Sequence, residues 1–468
     1  MILYGTKPVG CSNNNCPIPG RQKVIRCLAI LLFCMVLLMT GVCSVASADE
    51  IPGQETDGEQ YTLDRVVVLS RHNIRSPMSG SGSLLNNITP HAWFRWTSNP
   101  SELSVRGGVL ETIMGQYFRK WLEEEGLFPE NYQPEDGAVC FYSNAKQRTI
   151  ATSTFFSAGL LPVGDTSVEV HEEYDTMDPV FHPKLTFLTP AYEQDVIRQI
   201  SEKYGEAGIE GIYADLQDAI SLLMNVADVE ESESYQAGTY GNLLGGETEL
   251  LLEEGEEPAI SGPIKTAVSV ADALTLQYYE EADAAKAAFG HELTDDDWRL
   301  MHSIVDTYTE TLFGTPLISV NVAHPLLEEI RSELTTDGRK FTFLCGHDSN
   351  IASVLYALGV KEYTLHDTVE PKTPIGVKLV FARYLTQDNE AYYTVSLVYQ
   401  STRQLRNLSL LSLEDPPMEE FLQFADVKTQ AGNMIAEDDL LALFDNAISS
   451  YDLLVEEYSD EDELELAA

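Results

Sequence analysis

Short apolar runs that stop abruptly at polar residues recur along the chain. The run RVVVLS spans 65–70, and similar runs are AVCFYS at 138–143 and KFTFLCG at 340–346. Continuous apolar runs of this length, rich in β-branched and aromatic residues, are typical of buried strands. We therefore predict three buried strands at these positions.

Apolar residues at helical spacing are found at 109–122, 149–161 and 351–359. Strands that alternate with helices are typical of an α/β fold, in which a mostly parallel sheet is sandwiched by helices. Two further apolar runs, at 377–385 and 392–400, flank the pair Asp388-Asn389. They predict a β-hairpin at the edge of this sheet.

The middle of the chain has a different pattern, with helical spacing and little strand signal. We predict an inserted, mainly α-helical cap domain at 186–302, with an acidic, solvated loop near 228–258. No Lys or Arg occurs between Lys203 and Lys265. The rest of the chain, 49–185 and 303–468, is predicted to form an α/β core. A second acidic run at the C-terminus, 456–465, is predicted to be a solvated tail.

The N-terminal 48 residues have the parts of a secretory signal peptide. Four basic residues and no acidic ones precede an apolar run that ends in Ala46-Ser47-Ala48. We expect cleavage after Ala48 and a periplasmic or secreted protein. The alternative is an uncleaved membrane anchor, because the apolar run approaches the length that spans a bilayer.

Charge narrows the possible partners. The 468 residues include 74 Asp and Glu against 29 Lys and Arg, which gives a formal net charge of −45. So acidic a protein is not expected to bind nucleic acid, since that binding depends on basic surface. Two of the seven cysteines, Cys140 and Cys345, lie beyond residue 48. Both fall in apolar strand-like runs, where buried thiols are expected more than a disulfide.

Polar clusters follow each of the three predicted parallel strands. They are Arg71–Pro77 (RHNIRSP), Gln147–Thr149 (QRT) and Gly346–Asn350 (GHDSN). Ligands of open α/β sheets bind outside the carboxyl ends of the strands, so we expect the three clusters to meet there. Taken singly, each cluster is equally consistent with an ordinary surface loop or helix start.

Together the clusters supply three arginines, two histidines and a carboxylate, which suit a phosphoryl group. Guanidinium groups bind phosphate oxygens in pairs of hydrogen bonds. A neutral imidazole can attack phosphorus, and a carboxylic acid can protonate the leaving oxygen.

These motifs resemble the histidine acid phosphatase superfamily, whose signature is RHGxRxP with a later HD. The corresponding stretches here are SRHNIRSP at 70–77 and GHDSN at 346–350. Asn73 replaces the signature Gly, as it does in the glucose-1-phosphatase branch, which the chain resembles more than it resembles the phytases. Further matching stretches are RGGVLETIMGQYFRKWL, YSNAKQRTIATSTFFSAGLLP, SGPIKTAVSVADALTLQYYE, TPIGVKLVF and LVYQSTRQLRN.

The resemblance implies a role for each matching residue. His72 would be the nucleophile that forms a phosphohistidine, and Asp348 the general acid. Phosphate binding would fall to Arg71, Arg75, Arg148 and His347. Asn73 and Glu280 would lie at the substrate pocket, although a solvated helix residue explains Glu280 equally well. The resemblance implies no metal or other cofactor.

The expected activity is hydrolysis of small phosphomonoesters, with sugar phosphates such as glucose 1-phosphate as the best single substrate. One alternative is a phytase, although Met78-Ser79-Gly80 follows Pro77 where a polyphosphate pocket would favour a basic residue. Another alternative, of a different class, is a non-catalytic phosphate-binding protein with the same fold. After cleavage of the signal no membrane partner is expected, and the oligomeric state stays open.

Overall fold

The predicted strand at 65–70 becomes the central strand of a seven-stranded sheet. The computed structural model describes residues 61–78, 84–164, 166–239 and 242–465, and the predicted signal peptide lies outside them. In it, the strand β1 runs from Thr62 to Arg71, and its last six residues are all buried. Such two-sided burial explains why its sequence is a continuous apolar run.

The remaining strands described are β2 (Val139–Ser143), β3 (Leu250–Leu251), β4 (Ala259–Ile260), β5 (Phe341–Gly346), β6 (Lys378–Leu385), β7 (Ala391–Tyr399), β8 (Met418–Phe421) and β9 (Ile435–Ala436). Four of them (β2, β5, β6 and β7) were predicted from the sequence, and the four short ones were not. The main sheet has the order β2-β5-β1-β6-β7-β8, and β9 also pairs with β7. The short strands β3 and β4 form a separate two-stranded sheet.

The three strands that precede the polar clusters are parallel neighbours. β5 lies between β1 and β2 and is parallel to both. Antiparallel pairing then continues through β6, β7 and β8, so β7 runs in the same direction as β1. The α/β fold is thus confirmed, with a mixed sheet in which β1, β2, β5 and β7 share one direction.

The predicted hairpin is present, but its position differs from the prediction. β6 and β7 pair from Lys378 with Val398 to Leu385 with Ala391. The hairpin lies inside the sheet, because β6 also pairs with β1 and β7 also pairs with β8 and β9. The edge prediction was wrong because β8 is too short to produce a strand pattern in the sequence.

Twelve α-helices are described. They are α1 (Val105–Glu124), α2 (Gln147–Leu160), α3 (Pro190–Tyr204), α4 (Ile212–Val226), α5 (Glu233–Gln236), α6 (Pro263–Glu280), α7 (Ala284–Ala287), α8 (Asp295–Phe313), α9 (Pro316–Thr335), α10 (Asp348–Ala357), α11 (Thr402–Asn407) and α12 (Glu437–Glu465). Side-chain caps begin several of them. Ser104 accepts a hydrogen bond from Gly107 at the start of α1, and Thr294 and Asp297 form a capping box on α8.

Helices cover both faces of the sheet, as the alternation of side chains along β1 requires. Val67 and Leu69 pack into a core with α9, α10 and α12, whereas Val66 and Val68 pack into a core with α1 and α2. Successive residues of a strand point to opposite faces, so one apolar strand serves two cores.

Helices α1 and α2 pack unusually closely through two glycines. A Cβ atom on Gly115 would lie 2.2 Å from the backbone oxygen of Phe156, and one on Gly159 would lie 2.3 Å from that of Thr112. Only glycine fits at such a contact. The close packing fixes α2, whose first turn carries Arg148.

The region from α3 to α8 is mainly helical, as expected for the predicted cap, and its buried apolar residues belong to a cluster that also includes Ile74, Leu110 and Leu405 from outside the region. The predicted boundary at residue 302 falls within α8, which continues to Phe313. On this structure the helical insertion would therefore end after α8, at about residue 314. The division into core and cap stays a prediction.

The acidic segments are more ordered than expected. The loop near 228–258 contains α5 and β3, and its residues Leu243 and Thr248 are buried. The predicted tail at 456–465 is instead the last part of α12. Tyr458 is buried and donates a hydrogen bond of 2.8 Å to Asp195 on α3, which explains why this acidic run is not simply a solvated tail.

Both cysteines within the described ranges, Cys140 and Cys345, are buried free thiols, as predicted. Burial raises the pKa of each thiol to about 12. Of the helices described, none combines the length and the apolar character needed to cross a membrane.

Candidate active site

The carboxyl ends of β1, β2 and β5 bring the three polar clusters together. The backbone N–H of His72 donates to the carbonyl of Gly346 at 3.1 Å, and that of Asn144 donates to Cys345 at 3.0 Å. The rings of His72 and His347 lie edge to face, with centroids 5.5 Å apart. Two residues 275 positions apart in sequence thus meet because their strands are neighbours.

His72 is held as a neutral imidazole with a defined tautomer. Its Nδ1 lies 2.9 Å from the backbone carbonyl oxygen of Asn73. A carbonyl only accepts hydrogen bonds, so Nδ1 carries the proton and Nε2 carries the lone pair. Burial, followed by the charges of Arg148 and Arg75, holds the pKa of His72 well below its usual range. His72 therefore stays neutral in mildly acidic solution.

His347 is oriented by Asn144. The amide oxygen of Asn144 accepts hydrogen bonds from the backbone N–H groups of Ala145 and Asp178, so its Nδ2 must face His347 Nε2, at 2.7 Å. Nε2 of His347 accepts this hydrogen bond, which places the ring proton on Nδ1. Burial and the charge of Arg148 lower the pKa of His347.

An N–H donor of Arg148 lies beside that ring proton. Arg148 Nη2 is 3.4 Å from Nδ1 of His347, and both atoms carry hydrogens. Two donors that face the same space suit an anionic oxygen placed between them. Helices α2 and α10 also begin here, and the dipoles at their N-termini add positive potential.

Arg71 is fixed between two carboxylates. Its Nη1 donates to Glu370 at 2.9 Å, and its Nη2 is 3.3 Å from Asp348. Burial opposes its charge, but Asp348 and Glu370 outweigh that effect and raise the pKa of Arg71. Glu370 in turn accepts hydrogen bonds from Tyr279 at 2.7 Å and from the backbone of Ile375 at 3.0 Å.

Arg75 and Arg148 have different partners. Arg75 Nη2 lies 3.3 and 3.2 Å from the two carboxylate oxygens of Asp272 on α6. Burial and the neighbouring Arg75 lower the pKa of Arg148 to about 10. In the described residues, the buried Nε atoms of Arg71, Arg75 and Arg148 all lack a hydrogen-bond partner. Three unsatisfied donors of this kind are costly unless an anion takes them up.

Asp348 lies at the first position of α10, and about one third of its side chain is exposed (34%). Burial alone would raise its pKa, but Arg71, His347 and Arg75 lower it to about 2. Asp348 is therefore ionised in the ligand-free protein.

The two residues expected at the substrate pocket have partners of their own. The side chain of Asn73 is buried and donates to Glu111 at 2.7 Å. Glu280, at the end of α6, pairs with Arg106 at 3.5 Å. Neither contact is with the three arginines of the site, and the pocket role of both residues stays a prediction.

Sequence reasoning missed the residues that hold the site in place. Asn144 directly follows β2, so the rule about strand ends was enough to find it. Glu370 and Asp272 follow no strand, and each pairs with an arginine about 200 to 300 positions away. Local pattern carries no signal for such pairs. Nothing in the described ranges groups three or more His, Cys, Asp or Glu side chains as a metal ion requires.

Comparison with known proteins identifies relatives that span the site. The description "Histidine phosphatase superfamily (branch 2)" matches residues 62–400. Glucose-1-phosphatase of Salmonella typhimurium is 35% identical over 418 residues, which cover 88% of this chain and 98% of that protein. Phytase AppA of Escherichia coli is 30% identical over 382 residues, with coverages of 78% and 87%.

Solved structures agree with the sequence relatives. The Hafnia alvei phytase in complex with tartrate is similar to this chain, with a TM-score of 0.76 at 25% identity. The similarity covers 83% of this chain and 97% of that one. The match therefore includes both the sheet and the helical region.

Proposed function

Because the chain belongs to the histidine phosphatase superfamily, branch 2, we propose that it hydrolyses small phosphomonoesters, with glucose 1-phosphate as the preferred substrate among those considered. The observation that carries this proposal is the state of His72. It is a buried, neutral imidazole with its lone pair on Nε2, next to three arginines with unsatisfied Nε donors. A nucleophile in such surroundings suits attack on a phosphoryl group.

In the first step, Nε2 of His72 forms a bond to phosphorus as the bond from phosphorus to the alcohol oxygen breaks. Arg71, Arg75 and Arg148 stabilise the charge on the phosphoryl oxygens, and Nδ1–H of His347 adds another donor. Asp348 transfers a proton to the leaving alcohol oxygen. The products are the free alcohol and a phosphohistidine.

In the second step, water attacks the phosphorus of the phosphohistidine. Asp348, now ionised, accepts a proton from the water, and the bond from phosphorus to Nε2 breaks. Inorganic phosphate leaves as H2PO4−, taking the proton that Asp348 accepted, so that His72 is again a neutral imidazole and Asp348 is again ionised. The two steps use only residues of this chain and water.

Asp348 needs a proton in the first step, although it is ionised in the ligand-free protein. The substrate supplies that proton. A phosphate monoester keeps one acidic proton below about pH 6, the second pKa of such groups. Once bound, its negative charge offsets the arginines that hold the pKa of Asp348 low, so the proton passes to Asp348.

The most direct test measures phosphate release from glucose 1-phosphate, phytate and 4-nitrophenyl phosphate between about pH 4 and 7. Because the pKa of His72 is lowered, kcat/KM should not fall as the pH drops through about 6.5, the usual imidazole value. It should instead rise toward pH 5 as the substrate gains its proton. A loss of activity on acidification through pH 6.5 would contradict the neutral state of His72.

Two variants test the roles of the residues. We expect His72→Ala to abolish turnover, and Asp348→Asn to lower kcat at least about a hundredfold, as loss of a proton donor does. The effect of Asp348→Asn should be smaller for 4-nitrophenyl phosphate, because its leaving group needs little protonation. Turnover that survives in His72→Ala would exclude the covalent mechanism. Tight phosphate binding without turnover by the wild type would favour the phosphate-binding protein.

Phytate hydrolysis is the second candidate, since a phytase is 30% identical to this chain. A hexakisphosphate needs several basic side chains around the pocket. Here Asp272 faces Arg75 and Glu280 lies two turns further along the same helix. These carboxylates favour a substrate with one phosphate. Faster hydrolysis of phytate than of glucose 1-phosphate would reverse this preference.

We also propose export with cleavage after Ala48, as the N-terminal sequence predicts. On this proposal the enzyme acts in the periplasm or outside the cell. Mass spectrometry of the intact secreted protein should find Asp49 as the first residue. Retention of the first 48 residues would indicate an anchor instead.

A further inference from the structure

A closed ring of buried hydrogen bonds lies behind the loop that carries His72. Lys378, at the start of β6, donates from Nζ to Glu111 Oε1 on α1 at 2.8 Å. The same oxygen accepts the side-chain N–H of Asn73 at 2.7 Å. The side chains of Lys378 and Glu111 are entirely buried (0% exposed), and Asn73 is 1% exposed.

Two further hydrogen bonds link Lys378 back to the backbone of His72. Lys378 Nζ also donates to the backbone carbonyl of Gly376 at 2.8 Å. The N–H of Gly376 donates to the carbonyl of His72 at 3.1 Å. His72 is thus bound through its own backbone on one side and through the neighbouring Asn73 on the other.

Asn73 connects the ring to the imidazole of His72. Its side-chain oxygen accepts the backbone N–H of Ile74 at 2.8 Å, so its Nδ2 is directed at Glu111. These two hydrogen bonds fix the peptide group of Asn73. The carbonyl of that peptide group accepts Nδ1–H of His72, the contact that sets the tautomer of the nucleophile.

The buried ion pair is poorly explained by stability alone. Glu111 Oε2 is buried without a hydrogen-bond partner in the described residues, and burial raises the pKa of Glu111. Replacing a buried ion pair with apolar side chains of similar volume is often neutral or stabilising. The pair therefore needs a different explanation, and its contacts with Asn73 and Gly376 supply one.

We propose that Asn73, Glu111 and Lys378 are positioning residues, which hold the His72 loop so that Nε2 is aligned for in-line attack on phosphorus. The proposal rests on the proposed function, because it assigns these residues to the same reaction. All three side chains are buried and hydrogen-bonded within the ring, so this role is exerted through His72. Their effect is confined to the formation of the phosphohistidine, and it does not extend to phosphate affinity.

Gly376 is consistent with this role. Its φ of +72° lies in the left-handed region, and a Cβ atom there would be 2.5 Å from Asn73 Nδ2. Any side chain at this position would push against the ring. The tight fit leaves the loop little freedom to move, as positioning requires.

The decisive experiment compares two double variants. Glu111→Leu/Lys378→Met removes both charges and leaves Asn73 without an acceptor. Glu111→Gln/Lys378→Met also removes both charges but keeps an amide oxygen for Asn73. With 4-nitrophenyl phosphate we expect kcat to fall about a hundredfold in the leucine variant, the effect of misplacing a reacting group by about 1 Å. In the glutamine variant we expect a fall of less than about fivefold.

Additional measurements separate positioning from a general loss of structure. KM and the inhibition constant of inorganic phosphate should stay within about threefold of the wild type in both variants. The melting temperature should be unchanged or higher. Rapid-mixing experiments should show a slower burst of nitrophenol in the leucine variant, because phosphohistidine formation is the affected step.

A matched control is available at the opposite end of β5. Glu333 and Arg339 form another largely buried pair, with Arg339 Nε 2.8 Å from Glu333. Glu333→Leu/Arg339→Met should leave kcat within about twofold of the wild type. If the leucine variant of the ring does not fold, Asn73→Ala decides the question. It removes the hydrogen bond between Asn73 and Glu111 and leaves the ion pair of Glu111 with Lys378 in place.

Three outcomes would overturn the proposal. They are a kcat within about twofold of the wild type in the leucine variant or in Asn73→Ala, an equal loss of kcat in both double variants, and a parallel loss of kcat and phosphate affinity. A wild type without phosphatase activity would instead contradict the proposed function, before any variant is compared.

Discussion

At the scale of single residues, the candidate site sets positive side chains directly against negative ones. Arg71 is paired with Asp348 and Glu370, and Arg75 is paired with Asp272. Arg148 has no carboxylate within ion-pair distance among the described residues. The three arginines are therefore balanced by three carboxylates, and the positive charge left unpaired for a phosphate group is that of Arg148.

Asp272 is the carboxylate whose removal should change substrate preference. It is partly exposed (22%) and lies on the helical side of Arg75. A second phosphate on a substrate at about 6 Å from this carboxylate is repelled by roughly 2–3 kcal/mol at an effective dielectric constant of about 20. In Asp272→Asn, we expect the ratio of kcat/KM for glucose 1,6-bisphosphate to that for glucose 1-phosphate to rise at least about tenfold.

The control for Asp272→Asn is Asp218→Asn on α4, an exposed position where the same charge is lost. That variant should leave the ratio unchanged. An equal change in the two variants would mean that the net charge of the helical region, and not Asp272, sets the preference. No change in either would leave Asp272 with the role of holding Arg75 only.

At the scale of secondary-structure elements, the sequence was most informative about the buried strands and the helices that follow them. The three parallel strands and the helices after them were predicted because buried strands and amphipathic helices each leave a periodic pattern. Arg71, His72, Arg148, His347 and Asp348 could be grouped from the same pattern, since each follows a strand.

Contacts between distant elements could not be predicted in this way. Lys378 was read as part of an apolar strand, and Glu111 as part of an amphipathic helix, yet the two form a buried ion pair. The final helix shows the same limit. Its acidic end looked like a tail because the contact of Tyr458 with α3 depends on a segment more than 250 residues away.

The packing of α1 on α2 leads to a prediction at this scale. Gly159→Ala would place a methyl group 2.3 Å from the backbone oxygen of Thr112, so the two helices must separate. Overpacking of this kind costs typically about 1–3 kcal/mol. Urea denaturation should show that loss of unfolding free energy with an unchanged m value.

Gly245→Ala is the matched control for Gly159→Ala, because no atom lies within 4 Å of the Cβ position at Gly245. That substitution should change the unfolding free energy by less than about 0.5 kcal/mol, as is usual for surface positions. Equal destabilisation by both substitutions would contradict the role of the close helix contact.

At the scale of the whole molecule, the dominant feature is the net charge of −45. Repulsion among so many carboxylates opposes the compact state. Salt screens this repulsion, since the Debye length falls from about 30 Å at 0.01 M to about 8 Å at 0.15 M. We expect the melting temperature at pH 7 to rise by roughly 2–5 °C between 10 and 150 mM NaCl, as measured by calorimetry.

The same salt titration near pH 4.3 is the control, because the calculated isoelectric point is about 4.3. With little net charge left, the dependence of the melting temperature on salt should disappear. A rise of similar size at both pH values would indicate an effect of salt on hydrophobic burial, and not on charge repulsion.

The central place of β1 has a consequence for how the chain is made. Of the strands described, β1 is the first to be synthesised, yet its neighbours β5 and β6 begin about 270 and 310 residues later. Until those segments leave the ribosome, both edges of β1 stay unpaired, and a nascent chain cannot build its sheet in the order of synthesis. The main sheet therefore cannot form around β1 until β5 and β6 have been synthesised. Under the export proposed above, such a delay would keep the chain unfolded until it has crossed the membrane.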